Sequence, residues 1–183
     1  MMSSGDQTAP PGWSRQGVAL LGVTGLAVAV WIVLTVANAP LRTGAAPQGI
    51  VSFELAATAE RADAILASWG PRQREAASFG LGLDFLFLLL YPVAISLACR
   101  IVAGRIGPRY PRWALAGQVI ALMVPLAVVL DAIENAALWR VLQLGSAGPW
   151  PMVAAVCAVP KFGLVLLGLG YALGTWGLAR ARP

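Results

Sequence analysis

The sequence predicts an all-α membrane protein, a bundle of four transmembrane helices with a short amphipathic extracytoplasmic helix between the first and second spans. Hydrophobic residues make up 58% of the 183-residue chain, whereas charged residues make up only 11%. Soluble domains carry about 25% charged residues, so these few charges would not cover a soluble fold of this size. Four apolar runs are each long enough to cross about 30 Å of hydrocarbon as helices.

The composition also excludes several kinds of site. Histidine is absent and the only cysteines are Cys99 and Cys157, which excludes His-ligated haem, the common zinc sites, Ser-His-Asp catalysis and CxxC redox motifs. The two cysteines fall in different predicted helices, so each is expected to be a small buried hydrophobic residue. No cofactor and no metal site are predicted. The net charge of +5 comes from loop arginines, and no nucleic-acid partner is predicted.

The first predicted span is the uncharged segment 17–38, which follows a polar tail, residues 1–16, expected to be disordered. Residues 37–39 read Ala-Asn-Ala, a pattern that a signal peptidase accepts. Because the apolar run is longer than the usual signal-peptide core of about 7–15 residues, we expect a retained helix. Cleavage after Ala39 is the alternative.

The polar segment 39–78 is predicted to leave the bilayer and to contain its own helix. Thr58 is the predicted N-cap, and Gly70-Pro71 is the predicted stop. Apolar residues at helical spacing give this helix one apolar face: Ala62, Ile65, Leu66 and Trp69. Ile65, Leu66 and Trp69 are therefore predicted to form a lid over the mouth of the bundle, with 50–57 as its first turns. An ordinary surface helix is the alternative.

The remaining predicted spans are 79–99, 113–139 and 150–177, so that 17–179 forms a single membrane domain with a short tail at 180–183. Pro92 is expected to kink the second span, and Pro125 is expected to interrupt the third. Gly170 and Gly174 lie on one face of the fourth span, where small residues permit close helix contact or occur by chance.

The distribution of arginine predicts the orientation. Loop 100–112 carries four arginines and no acid, whereas the four arginines of 39–78 are balanced by four acids. The positive-inside rule therefore places both termini in the cytoplasm and 39–78 outside. Six tryptophans near the span boundaries fit an aromatic belt: Trp13, Trp113 and Trp176 inside, and Trp69, Trp139 and Trp150 outside. The Arg-, Ala- and Gly-rich composition suggests a bacterial source, and hence the bacterial inner membrane.

Five residues in the predicted spans are singled out because they are charged or strongly polar, and a charge at the bilayer centre costs about 2.5–3.5 kcal/mol on insertion scales. These residues are Asp84, Asp131, Glu134, Asn135 and Lys161. Helical spacing places Asp131, Glu134 and Asn135 on one face. Tyr91 shares a face with Asp84. All five lie in the outer half of the predicted bundle, beneath the predicted lid, with Tyr91 lining the same space from below.

The charges of this group do not balance, because three carboxylates accompany one ammonium. Lys161 is expected to pair with one acid, and at least one other acid is expected to hold a proton or bind a cation. The first hypothesis is a site for a small or lipid-like molecule in the outer half of the bundle, closed by residues 50–69, with Asp131 and Glu134 as its main polar contacts and Lys161 as their partner. A binding protein and a proton-coupled carrier both fit this hypothesis. Membrane lipid is the expected partner, and a small hydrophobic or cationic ligand and a homo-oligomer are further candidates.

Two other functions fit the same residues. In an intramembrane enzyme, Asp84, Asp131 or Glu134 would act as acid and base on a hydrophobic substrate such as an isoprenoid or a sterol-like lipid. No spacing in the chain specifies which residue is catalytic. In a structural or assembly subunit of a membrane complex, the polar residues would instead form a network that fixes helix register.

Overall fold

The computed structural model describes residues 14–180, which are almost entirely helical and include no strand. The helices are α1 (Arg15–Asn38), α2 (Ile50–Glu54), α3 (Ala59–Ser68), α4 (Pro71–Ile106), α5 (Pro111–Met123), α6 (Leu126–Leu144) and α7 (Trp150–Arg180). Four helical stretches are long and apolar enough to cross a membrane: Arg15–Leu41, Pro71–Ile106, Pro111–Leu144 and Trp150–Leu178. The chain is thus a multi-pass all-α membrane protein, as predicted.

The observed helix ends differ from the predicted ones where capping residues extend a helix. The α1 helix begins at Arg15, inside the predicted tail, because the Ser14 hydroxyl accepts a hydrogen bond from the Gly17 N–H at 3.1 Å. The rest of the predicted tail, residues 1–13, lies outside the described residues, as do residues 181–183.

The second span is longer than predicted, because α4 begins at Pro71 and not near residue 79. Proline suits the first turn of a helix, so Gly70-Pro71 ends one helix and starts the next. Pro92 lies within a continuous helix, whereas Pro125 separates α5 from α6 as predicted. The segment between the first two spans is correspondingly shorter than the predicted 39–78.

Helix α4 is the centre of the bundle. It packs against α1 on one side and against α5, α6 and α7 on the other. Helices α6 and α7 also pack closely together, whereas α1 makes hardly any contact with α7. This arrangement leaves space between α1 and α7 on one side of α4.

Residues 39–70 cover one end of the bundle, which we call the capped end. The predicted helix is confirmed as α3, and Thr58 accepts from the Arg61 N–H at 3.2 Å as its N-cap. The segment 50–57 does not continue into α3. Its first five residues form the separate helix α2, and the chain turns at Ala57, whose φ is +60°, before α3 begins.

The apolar face of α3 packs inward at the capped end. Ile65, Leu66 and Trp69 are buried in a cluster that includes Leu138 of α6. The Trp69 indole N–H donates to the Leu41 carbonyl at 2.9 Å. The aromatic-belt prediction is therefore wrong for Trp69, which is only 2% exposed.

Two glycines provide the close helix contacts, and neither is one of the predicted pair. A Cβ built at Gly170 or Gly174 meets nothing within 4 Å. A Cβ at Gly168 would overlap with Ile95 Cγ2 and lie 3.0 Å from Val124 Cγ2, and one at Gly117 would overlap with the Tyr171 ring. The absence of a side chain at Gly168 and Gly117 therefore allows α7 to approach α4 and α5.

We expect Gly168→Ala to lower the free energy of unfolding by about 1–3 kcal/mol, because the added methyl group overpacks two stiff β-branched side chains. Gly170→Ala, two residues along the same helix and facing open space, is the matched control and should change it little. Thermal unfolding in detergent measures both variants. Equal melting temperatures for the two would contradict this packing.

Candidate functional site

Lys161 on α7 is the centre of a buried polar network. Its Nζ lies 3.0 Å from Asp131 Oδ1 and 2.7 Å from Glu134 Oε2, both on α6. Asp131 and Glu134 are one helical turn apart, so a single ammonium reaches both. The three side chains are almost completely buried, and Glu134 has no exposed surface.

Two further hydrogen bonds connect α6 to α4. The Tyr91 hydroxyl donates to Asp131 Oδ2 at 2.9 Å, and the Asn135 amide donates to Asp84 Oδ2 at 2.7 Å. Tyr91 and Asn135 are both buried, whereas Asp84 is partly exposed. All six residues predicted to share a site therefore lie in one network that joins α4, α6 and α7.

A fourth carboxylate reaches this site from outside the spans. Glu54, the last residue of α2, lines the same cavity as Asp84, Asp131 and Lys161. Its Oε2 atom is enclosed and has no hydrogen-bond partner among the described residues. Burial raises the pKa of Glu54 from 4.5 to about 7; Lys161 opposes this rise, and the carboxylates of Asp84 and Asp131 add to it.

The site opens into a cavity of about 480 Å³ between α1, α4 and α7, with α2 across its capped end. The charged and amide residues of the lining lie toward the capped end: Asn38, Glu54, Asp84, Asp131, Asn135 and Lys161. Three hydroxyl residues, Thr24, Thr35 and Tyr91, also line the cavity. The rest of the lining is mostly apolar and includes Ala27, Leu34, Phe87, Ala94, Ile95, Val165 and Leu169. The cavity is therefore amphipathic along its length.

The cavity is open on the side where α1 and α7 fail to meet. On α1, Val28 and Trp31 line it and are 47% and 55% exposed; on α7, Leu169 lines it and is 40% exposed. These helices span the membrane, so this exposed edge faces the bilayer interior and not water.

Several acceptor atoms at this site lack donors. Glu54 Oε2 and Asn38 Oδ1 are buried, line the cavity and have no hydrogen-bond partner among the described residues. Glu134 Oε1, deeper in the network, also lacks one. A buried polar group left unpaired costs about 1–3 kcal/mol, so the protein alone leaves this end of the cavity unsatisfied.

The predicted lid residues do not line the cavity. Ile65, Leu66 and Trp69 belong to the core of the capped end, and α2 is the element that covers the cavity, through Ile50, Val51 and Glu54. Glu134 is likewise absent from the lining and contacts the site through Lys161.

Sequence reasoning missed Glu54 and Asn38. Glu54 was visible as one of only two polar residues in the apolar segment 50–57, which was a usable signal. Asn38 ends the first span and carried no comparable signal. Its amide oxygen lies 3.8 Å from where a Cβ of Gly80 would stand, so the small residue on α4 leaves room beside it.

The described residues contain no group of histidine, cysteine and carboxylate side chains that would hold a metal ion. Both cysteines are buried and unpaired, as expected. No known protein family, curated protein or solved structure matches the chain.

We expect Lys161→Met to lower the free energy of unfolding by about 3–5 kcal/mol, because it leaves Asp131 and Glu134 buried without their cation. The double variant Lys161→Met/Glu134→Gln removes one stranded carboxylate and should regain part of that loss. Thermal unfolding of both variants in detergent measures this coupling. A single variant that melts at the wild-type temperature would show that the ion pairs are not formed.

Glu54 should make stability depend on pH. Its folded pKa of about 7 exceeds the ordinary 4.5, so the unfolded chain ionises first as pH rises. The wild type should lose stability relative to Glu54→Gln through this window, by up to about 3 kcal/mol, with no further change above it. Unfolding of both proteins across a pH series measures the difference.

The matched control is Glu75→Gln, which removes an exposed carboxylate near the capped end. It should show no comparable change over the same pH range. A pH-independent difference between the wild type and Glu54→Gln would contradict the burial of the Glu54 carboxyl.

Proposed function

We propose that this protein binds a single lipid-like amphiphile in the cavity between α1, α4 and α7. The polar group of the ligand would lie at the capped end, beside Glu54, Asp84 and Lys161, and its chain would lie along the apolar wall. The observation that carries the proposal is an amphipathic cavity that is open toward the bilayer between α1 and α7.

The size of the cavity supports such a ligand. Small-molecule pockets are typically about 300–1,000 Å³, and the cavity volume of about 480 Å³ falls in this range. Its lining on α4 runs from Gly80 to Ile95, a distance of about 22 Å at the helical rise. That length suits a hydrocarbon chain better than a compact polar metabolite.

The proposed orientation places the capped end outside a bacterial inner membrane and both termini in the cytoplasm. The arginines of 100–112 and the lack of excess positive charge in 39–70 support it. Helix α1 supplies a full wall of the cavity, so we also propose that it is retained after membrane insertion.

Binding fits the lining better than transport across the membrane does. A carrier for a polar molecule needs polar contacts that continue toward the opposite end of the bundle. Below Tyr91 on α4 the cavity is lined by Ala94 and Ile95, and the facing residues of α7 are Val165 and Leu169. The charged and amide residues are thus concentrated at one end, as expected for a headgroup site, and Thr24 is the one polar side chain toward the other end.

Acid–base chemistry on the bound molecule is a second candidate function. It is favoured by Glu54, whose pKa of about 7 suits proton exchange near neutral pH at the edge of the cavity. Turnover of a retained ligand by the wild type, lost in Glu54→Gln while binding persists, would distinguish an enzyme from a binding protein.

The test of binding is native mass spectrometry with lipid extraction on detergent-purified protein. Val28→Trp should fill the open edge of the cavity and abolish retention of a distinct amphiphile. Val33→Trp is the matched control, because Val33 has nearly the same exposure as Val28, 46% against 47%, on the same helix but does not line the cavity. It should retain the ligand as the wild type does.

One outcome of this experiment would contradict the proposed binding. If the wild type and both variants carry only bulk phospholipid, the cavity holds no specific ligand. If Lys161→Met also melts at a lower temperature, the polar network has a structural role alone.

A further inference from the structure

We propose that the polar end of this cavity selects a cationic headgroup bearing N–H donors, such as the ammonium of a long-chain amine. The inference rests on the proposed binding of an amphiphile and adds the chemical class of its headgroup. Charge balance, unpaired acceptors and the position of the only cation in the cavity carry it.

The charges at the site do not cancel. Four carboxylates surround it, from Glu54, Asp84, Asp131 and Glu134, and the only cation among the residues that line it is Lys161. Lys161 is already engaged by Asp131 and Glu134. Asp84 receives its hydrogen bond from the neutral amide of Asn135, and among the described residues its carboxylate forms no ion pair within 4.0 Å.

The hydrogen-bonding groups point to the same ligand. The unpaired atoms that line the cavity, Glu54 Oε2 and Asn38 Oδ1, are both oxygens able to accept hydrogen bonds. An ammonium group brings up to three donors and a positive charge, and thus satisfies both needs at once. A hydroxyl headgroup brings a donor without the charge.

An anionic headgroup does not fit this end of the cavity. A phosphate or carboxylate would add negative charge beside Glu54 and Asp84, and the ammonium of Lys161 is already bonded to two acids. The arginines of 100–112 lie at or beyond the end of α4 that is away from the capped end. The site is therefore complementary to a cation and not to the phosphate of an ordinary phospholipid.

The apolar wall distinguishes an amphiphile from a small free cation. A simple amine or inorganic cation would satisfy Glu54 and Asp84 but would leave the length of cavity down to Ile95 unfilled. Burial of a chain contributes about 0.8 kcal/mol per methylene group, so the chain should provide much of the affinity.

The test measures equilibrium binding of radiolabelled probes to the protein in phosphatidylcholine nanodiscs, with empty nanodiscs subtracted for partition into lipid. The probes are hexadecylamine, hexadecanol and palmitate, which share one chain length, and butylamine, which has the amine without the chain. We expect hexadecylamine to bind at least about tenfold more tightly than hexadecanol, and palmitate to bind most weakly of the three.

The variant Glu54→Gln/Asp84→Asn should reduce the preference for the amine over the alcohol to less than about twofold, because it removes the charge that selects the amine. Glu75→Gln, which neutralises an exposed acid near the same end, is the matched control and should keep the preference. The ranking of probes on the wild type stands as a test even if the double variant does not fold.

The outcomes separate the two proposals. Equal binding of all three hexadecyl probes, or a preference for palmitate, would overturn the headgroup inference while leaving amphiphile binding intact. Binding of none of the long-chain probes, or butylamine binding as tightly as hexadecylamine, would overturn the proposed function itself.

Discussion

The structure depends above all on burying one ammonium and its two carboxylates between apolar helices. A charged group is costly within a bilayer unless it is paired, so α7 and α6 are held where Lys161 meets Asp131 and Glu134. Two hydrogen bonds join α4 to this group: Tyr91 on α4 donates to Asp131, and Asn135 on α6 donates to Asp84 on α4. Specific polar contacts thus fix the register of three helices, where apolar packing alone permits sliding.

Helix α1 is held in the bundle in a different way. None of the polar contacts in the network involves α1, which packs on α4 through small and apolar residues such as Ala27, Val30 and Leu34. The cavity is therefore bounded by two different kinds of wall. One is fixed by ion pairs, and the other is held by apolar packing that leaves a lipid-facing edge.

Much of this arrangement follows from helix geometry and was therefore predictable. The spacing of Asp131, Glu134 and Asn135 fixes their common face, and alternating span direction fixes the common depth of Asp84 and Lys161. The position of Tyr91 beside the site follows from the same periodicity, because Tyr91 shares a helix face with Asp84. The four spans followed from length and hydrophobicity alone, and their number is confirmed. Within a span, periodicity leaves few alternative positions for a side chain.

The parts that escaped prediction depend on chain path and not on periodicity. Glu54 reaches the cavity because α2 is separated from α3 by a turn at Ala57 and preceded by Gly49 at a φ of +63°, which no hydrophobic pattern specifies. Trp69 was predicted to lie at the membrane boundary from its residue type and its position near a span end. Its indole N–H instead donates to the Leu41 carbonyl, which favours burial.

The position of Glu54 also makes the two ends of the site different. It is the one ionisable lining residue outside the spans, and the lining toward the other end is apolar apart from the Thr24 hydroxyl. A titratable carboxyl outside the spans is therefore present only at the α2 end of this cavity, so the two ends of the site differ in their acid–base chemistry.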